Sequence, residues 1–150
     1  MNRRNFFILL AAGSAASLSY AEPGGLAMHR HGGFAAGSQG ELAGASARGF
    51  STASGGQGLR VGKVQRQADG SASASMNASA TTSQGGTYER QGTYSRDAQG
   101  NGTAQRSTQM TNAQTGVTMD ASRAYTSGSG VSRSATCHDA SGNTVSCGSR

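Results

Sequence analysis

Arginine and tyrosine alternate with small polar residues in the C-terminal half of the chain, and they are its main candidates for binding chemistry. The positions are Arg90, Arg96, Arg106, Arg123 and Arg133, together with Tyr88, Tyr94 and Tyr125. Even spacing within each segment would place them on one face of a strand. Such a face can bind acidic polysaccharide, lipid headgroups or nucleic acid. The alternative, which the sequence favours, is that these arginines are solubilising charges that protect an exposed sheet from aggregation.

A second candidate is the cluster formed by Met28, His29 and His31. Thioether and neutral imidazole groups can bind copper. The cluster has two histidines and no carboxylate nearby to orient them, so it is a weak copper site, and we predict no resident cofactor.

The two cysteines, Cys137 and Cys147, are the only ones in the chain, and they predict a disulfide in an exported protein. Both lie five residues from Gly142, so a hairpin centred on that glycine would place them opposite each other. A bulge in the turn would shift this register.

No pattern in the chain indicates catalysis. The sequence contains no Gly-x-Ser-x-Gly elbow, phosphate-binding loop or zinc spacing. Asp97 and Asp139 occupy matching Asp-Ala-x-Gly-Asn segments, where aspartate commonly caps its own backbone. We therefore predict no catalytic residues and no enzymatic activity.

Residues 59–150 supply the elements that would position these side chains. Glycine-bearing turns recur at Gly70, Gly85, Gly100, Gly116 and Gly130, and the segments between them alternate with a period of two. The prediction is a mostly β fold, an antiparallel meander of short Ser/Thr/Gly-rich strands that ends in a disulfide hairpin. The alternative is a largely disordered low-complexity chain.

The composition limits how compact this region can be. The apolar fraction is 34%, and beyond Leu59 the chain has no Leu, Ile, Phe or Trp. Ordering one residue costs about 1–2 kcal/mol, so few large apolar side chains remain to offset that cost. A thin sheet, a self-associating sheet or disorder are the three outcomes that this composition allows.

Residues 1–21 are typical of an export signal. Arg3 and Arg4 precede a short apolar run, and small residues lead to a cleavage site between Ala21 and Glu22. Arg3-Arg4-Asn5-Phe6-Phe7 resembles the bacterial twin-arginine signal, which implies export in the folded state. A general secretory leader that begins with two arginines explains the same residues. No apolar run in the sequence is long enough to be a transmembrane segment.

Residues 22–58 are rich in Gly, Ala and Ser, and we predict a disordered linker there. The whole chain has a net charge of +6, and removal of the leader leaves 11 basic and 7 acidic residues. That charge is compatible with an acidic polymer as a partner and does not require a specific nucleic acid.

Taken together, these features predict an exported, periplasmic or secreted, non-enzymatic protein of the bacterial envelope or extracellular matrix. Its role would be structural or surface interaction, with self-association or an acidic polymer as the partner. The alternative is a periplasmic binding module, for copper through the Met/His tail or for an anionic ligand through the Arg/Tyr face.

Cleavage after Ala21 should leave Glu22 as the first residue of the exported protein, which intact-mass analysis of exported material would establish. Replacing Arg3 and Arg4 by lysine should block twin-arginine export and leave general secretion almost unchanged. An exported species that still carries Met1 would contradict the cleavage site.

Overall fold

The computed structural model describes residues 18–21 and 25–147 as ten β-strands joined by turns. The strands are β1 (Leu18–Ala21), β2 (Leu26–Ala36), β3 (Leu42–Thr52), β4 (Gln57–Arg66), β5 (Ala72–Thr81), β6 (Thr87–Arg96), β7 (Gly102–Thr111), β8 (Thr118–Thr126), β9 (Gly130–His138) and β10 (Thr144–Val145). Each strand pairs antiparallel with its neighbours in the sequence, so they form one meander sheet. This confirms the predicted fold class. None of the described residues forms a helix of a length and hydrophobicity that could span a membrane.

The turns follow one pattern because glycine occupies the same position in most of them. From Gly25 to Gly100 a glycine with positive φ recurs every 15 residues. In the segment Asp97–Asn101, the N–H of Gly100 donates to the carbonyl of Asp97 at 3.1 Å, and the N–H of Asp97 donates to the carbonyl of Asn101 at 2.9 Å. This is a type I turn followed by a left-handed residue, which glycine adopts most easily. The position of the glycine therefore sets the register between the two strands that the turn joins.

The turn between β7 and β8 is one residue longer and changes which side chains share a face. The N–H of Asn112 donates to the carbonyl of Val117 at 2.9 Å, so six residues close this turn where five close the others. Even-numbered residues of β7 consequently pair with odd-numbered residues of β8, as in Arg106 with Arg123 and Met110 with Met119. The longer turn keeps the arginines of β8 on the same face as those of β7.

The prediction of a disordered linker over 22–58 is wrong for the residues that the structure describes there. Strands β2 and β3 lie within this range, and β4 begins at Gln57. Two features compensate for the small side chains. Gly40 and Gly55 continue the 15-residue turn spacing, and the rings of Phe34 and Phe50 lie over the backbones of Gly44 and Gly58 on the neighbouring strands. The range 22–24 lies outside the described residues, as do 1–17, which contain Arg3 and Arg4.

The sheet is a single layer with almost no interior. Among the described residues Cys137 is the only buried hydrophobic side chain, while Phe34 is 67% and Tyr125 41% exposed. Backbone hydrogen bonds between neighbouring strands therefore provide most of the stabilisation of the sheet, as expected from a composition with few large apolar residues.

A disulfide joins Cys137 to Cys147, with the two Cα atoms 5.2 Å apart. The hairpin is centred on Ser141, one residue before the predicted centre at Gly142. Cys137 lies opposite Val145, because Gly142 is the fourth residue of the five-residue turn Asp139–Asn143 and the register is centred on Ser141. Cys147 lies two residues past the position opposite Cys137, at a Cα separation that a disulfide normally spans.

Gly100→Ala should destabilise the protein by about 1–2 kcal/mol, because φ at this position is +93° and an L-residue pays that cost in the left-handed region. Nothing else lies within 4 Å of the added Cβ, so the effect would come from the backbone alone. Gly92→Ala, inside β6, is the control and should leave the urea midpoint equal or slightly raised. Equal loss in both variants would contradict the role given to the turn glycine.

Candidate functional site

The register places all nine described arginines on one face of the sheet. This face, here called the arginine face, consists of the even-numbered residues of β2–β7 and the odd-numbered residues of β8–β10. Its arginines are Arg30, Arg48, Arg60, Arg66, Arg90, Arg96, Arg106, Arg123 and Arg133. The five that the sequence singled out are therefore joined by four more from β2, β3 and β4. Tyr88, Tyr94 and Tyr125 lie on the same face.

The strands contribute no carboxylate to the arginine face. Glu89 and Asp120 occupy the opposite face, and the remaining described acidic residues lie in the turns, at Glu41, Asp69, Asp97 and Asp139. Arg90 donates to Thr108 Oγ1 at 3.4 Å and lies over the ring of Tyr88 at 5.2 Å. Arg96 donates to the carbonyl of Gly70 at 3.4 Å. Positive charge on this face is therefore not neutralised by the strands that carry it.

Six of the arginines oppose one another directly across neighbouring strands. Arg30, Arg48 and Arg60 form one such row over β2, β3 and β4. A second row, over β7, β8 and β9, consists of Arg106, Arg123 and Arg133. Directly opposed like charges destabilise a sheet. All six are classed as exposed, and solvent reduces that repulsion without removing it.

A row of larger apolar side chains runs parallel to the arginines, across the strands. Its members alternate with small residues on the intervening strands, in the order Phe34, Gly44, Val64, Ala74, Tyr94, Ala104, Tyr125 and Val131. We call this set the aromatic row. Bulky residues thus occur on every second strand from β2 to β8, and Val131 on β9 lies directly beside Tyr125. Their exposed fractions, such as 39% for Tyr94, leave ring surface available for contact.

Between the arginines of β2–β4 and the aromatic row lies a row of residues that, apart from Met76, have short side chains or none. Its members are Gly32, Ser46, Gly62, Met76 and Gly92, and we call it the glycine row. An open groove of about 720 Å³ follows it across the sheet. Arg48 and Arg60 line one side, the aromatic row from Phe34 to Tyr125 lines the other, and Arg106 and Arg123 lie at the far end. Gly62 and Gly92 flank Met76 on the neighbouring strands, and Met76 Cε lies 3.8 Å from the position that a Cβ would take at Gly92.

A 30-residue repeat underlies this arrangement. Arg30, Arg60 and Arg90 are each followed two residues later by glycine and four residues later by Phe, Val or Tyr. Residues 30 apart occupy the same position on alternate strands, because each hairpin advances the chain by 15 residues. This Arg-x-Gly-x-bulky spacing is the sequence signal that could have located two of the four arginines missed in β2–β4, Arg30 and Arg60.

The opposite face carries Ser, Thr and Gln, which hydrogen-bond to one another. Ser122 and Ser134 are joined at 2.7 Å, and Gln109 Nε2 donates to Asp120 at 2.8 Å. These cross-strand pairs satisfy one another and contribute to the sheet.

The predicted copper cluster is divided between the two faces. His29 and His31 lie on the face opposite the arginines, while Met28 lies on the arginine face. Because successive side chains in a strand point to opposite sides, one ion cannot contact all three residues here. The described residues contain no group of three or more His, Cys, Asp or Glu that could hold a metal ion.

The matching aspartates hold their turns. Asp97 accepts from the N–H of Asn101 at 2.8 Å and from its side-chain amide at 2.9 Å, and Asp139 accepts in the same way from Asn143. The Asn101 side chain is the largest cause that lowers the pKa of Asp97, and the Asn143 side chain does the same for the pKa of Asp139. These carboxylates are therefore structural groups of the turns.

No protein-family model, curated protein or solved structure matches this chain. The function must therefore be inferred from the geometry of the sheet itself.

Acid should destabilise the protein through these turns. In the folded state the pKa values of Asp97 and Asp139 lie below the ordinary value of an aspartate, because each carboxylate accepts hydrogen bonds from its turn. Their stabilisation is thus complete above the unfolded pKa and is lost as the pH falls through the lower folded pKa. The melting temperature should decrease between neutral pH and about pH 3, and it should decrease less in the Asp97→Asn/Asp139→Asn variant. Identical acid profiles for both proteins would contradict this assignment.

Proposed function

We propose that this chain is an exported, non-enzymatic surface-interaction protein of the bacterial envelope or extracellular matrix, and that its arginine face binds an extended acidic polymer. The observation that carries the proposal is the direct opposition of like charges in two rows, Arg30 with Arg48 and Arg60, and Arg106 with Arg123 and Arg133.

A polyanion would relieve the repulsion within these rows. Each row brings three guanidinium groups onto adjacent strands, about 4.8 Å apart, with no strand carboxylate on the same face. An acidic polymer that lies across the strands would meet successive arginines with successive charges. Guanidinium also forms bidentate hydrogen bonds with carboxylate and phosphate groups.

The charge also explains why an acidic polymer is preferred to a second copy as the partner of this face. The face exposes apolar side chains such as Phe34 and Tyr125, and burying them would favour association. Packing two arginine faces together would, however, bring eighteen guanidinium groups into one interface without a strand carboxylate. Unpaired buried charge costs more than this apolar area returns.

The disulfide is compatible with an exported protein. Bonds such as that between Cys137 and Cys147 persist in oxidising compartments outside the cytoplasm. This agrees with the export signal expected over residues 1–21.

Changing Arg106 and Arg123 to Gln should weaken binding to an immobilised polyanion such as heparin. Each exposed charge contact is worth about 0.2–1 kcal/mol, so the double variant should bind several-fold less tightly and elute at lower salt. The strand signal in circular dichroism should remain, because both residues are exposed.

The matched control is Gln65→Glu/Gln91→Glu, which lowers the net charge by the same two units on the opposite face. This control should retain more binding than the arginine variant. Equal retention by the arginine variant and the unmodified protein would eliminate the binding face. Equal losses in the arginine variant and the control would mean that net charge alone determines retention.

A further inference from the structure

Strand β2 lies at the edge of the sheet that the expected leader covers. In the full chain β1 pairs antiparallel with β2, and Leu18–Ala21 lie opposite Ala27–Arg30. Cleavage after Ala21 would remove β1 and leave the outer side of β2 without a neighbouring strand. The inner side of β2 would stay paired with β3 along all eleven residues. The mature protein would therefore present a regular strand edge, which is a template for pairing with another chain.

The outward backbone groups of β2 belong to residues of the arginine face. The N–H of Gly37 donates to the carbonyl of Glu41 at 2.8 Å, so Gly37 is bonded towards β3. Successive residues of an antiparallel strand bond to opposite sides. The odd-numbered residues of β2 are thus turned towards β3 and the even-numbered residues outward. A strand added antiparallel at this edge must bond to the even-numbered residues, which lie on the arginine face.

A second copy of β2 meets this requirement over the full length of the strand. Two β2 strands that pair antiparallel over all eleven residues place His31 of one copy opposite His31 of the other. Even-numbered residues then oppose even-numbered residues, so outward groups meet outward groups. Two hydrogen bonds at each such pair give about twelve in all. Directly opposed residues share a face, so both copies would carry their arginines on the same side of the joined sheet.

The side chains agree with this register. Arg30 would lie opposite Gly32 of the second copy, so no arginine opposes another across the junction. Phe34 and Met28, which are 67% and 50% exposed, would lie opposite each other and cover part of their apolar surface. A shift of the register by two residues in one direction would oppose Arg30 to Arg30, which destabilises a strand pair. A shift in the other direction would leave two residues of each strand without an opposite residue.

We infer that the mature protein forms a two-fold dimer through β2, with the axis at His31 and normal to the sheet, and that β1 prevents this association until the leader is removed. The inference rests on the export and cleavage that belong to the proposed function. Loss of β1 leaves nine strands in each copy, so the dimer would be one sheet of eighteen strands. Its arginine face would continue across the junction and offer a longer surface to an acidic polymer.

The other edge of the sheet is already partly covered. On the outer side of β9, β10 pairs with Cys137 and His138, and the disulfide holds Cys147 there as well. A β2 strand that continued the rows of β9 would place Met28 opposite Cys137, a position that Val145 occupies. This obstructs head-to-tail growth into a filament. Pairing of two β2 strands, in contrast, is complete after two copies.

The mass of the exported protein tests the dimer. Analytical ultracentrifugation should give twice the mass of one chain for the exported protein and the mass of one chain for the uncleaved form. Arg30→Pro should weaken association at least tenfold, because proline has no N–H to donate outward at this position. Arg30→Gln is the matched control, since it removes the same charge, keeps the N–H and should remain a dimer. Circular dichroism should show equal strand content in both variants.

Single cysteines test the register. His31→Cys should form a disulfide between two copies, because opposed residues at such a position have Cα atoms about 4.5 Å apart. Ala27→Cys and Ala35→Cys should not crosslink alone, since each would lie about 26 Å from its equivalent in the other copy. They should crosslink when the two variants are mixed. The unmodified protein is the background, because Cys137 and Cys147 are joined to each other.

The outcomes also separate this inference from the proposed function. An exported monomer that binds heparin through Arg106 and Arg123 would overturn the dimer and retain the binding face. A dimer that crosslinks at position 31 but binds no polyanion would support the dimer and contradict the binding face. Association that Arg30→Pro leaves unchanged, absence of the position 31 crosslink, or assemblies larger than two copies would overturn the β2 interface. An exported product that still carries Met1 would overturn both cleavage and the dimer, because β1 would continue to cover the edge.

Discussion

The backbone hydrogen-bond ladder, with its register fixed by left-handed glycines, is the constraint on which the rest of this structure depends. Cys137 is the only buried hydrophobic side chain among the described residues, so tertiary packing cannot correct a strand that slips. A slip of one residue would move every side chain of a strand to the other face. Glycine at the fourth position of a five-residue turn, as at Gly100, opposes that slip locally at six of the described hairpins.

Because the register is strict, residues at equivalent positions of successive strands line up across the sheet. Each hairpin advances the chain by 15 residues, so residues 30, 60 and 90 lie at the same level on alternate strands. One arginine in each 30-residue repeat therefore produces a row of arginines across the sheet. The six-residue turn at Asn112–Val117 alters the parity of the sequence, and Arg123 and Arg133 occur at odd positions after it. The longer turn places the odd-numbered residues of β8 on the same face as the even-numbered residues of β7. The arginines of β8 and β9 are odd-numbered, so the arginines of β2–β9 all lie on one face.

The sequence predicted the meander, the alternation and the disulfide because each depends on local spacing. The sharing of a face by Arg90 and Tyr94 needs only a period of two within one strand. The rows of opposed arginines could not be predicted, because they depend on pairing between strands and hence on where each turn is centred. The same limitation explains the one-residue difference at Cys137, because sequence spacing alone does not show that Gly142 is the fourth residue of its turn and not the centre.

The error over residues 22–58 has a different physical origin. Few side chains in β2 and β3 are large enough to indicate a core, and a composition rich in Gly, Ala and Ser is typical of flexible linkers. In a single-layer sheet, however, strand formation depends on pairing with a neighbour more than on burial. Leu26, Phe34, Leu42 and Phe50 recur every eight residues, and eight is an even number, so all four share the arginine face.

Cleavage after Ala21 would remove β1, which pairs with Ala27–Arg30, and would leave β2 as the edge of the sheet. The charge of Arg30 would then discourage the addition of a strand that brings a second cation opposite it, whereas β2 of a second copy places Gly32 there.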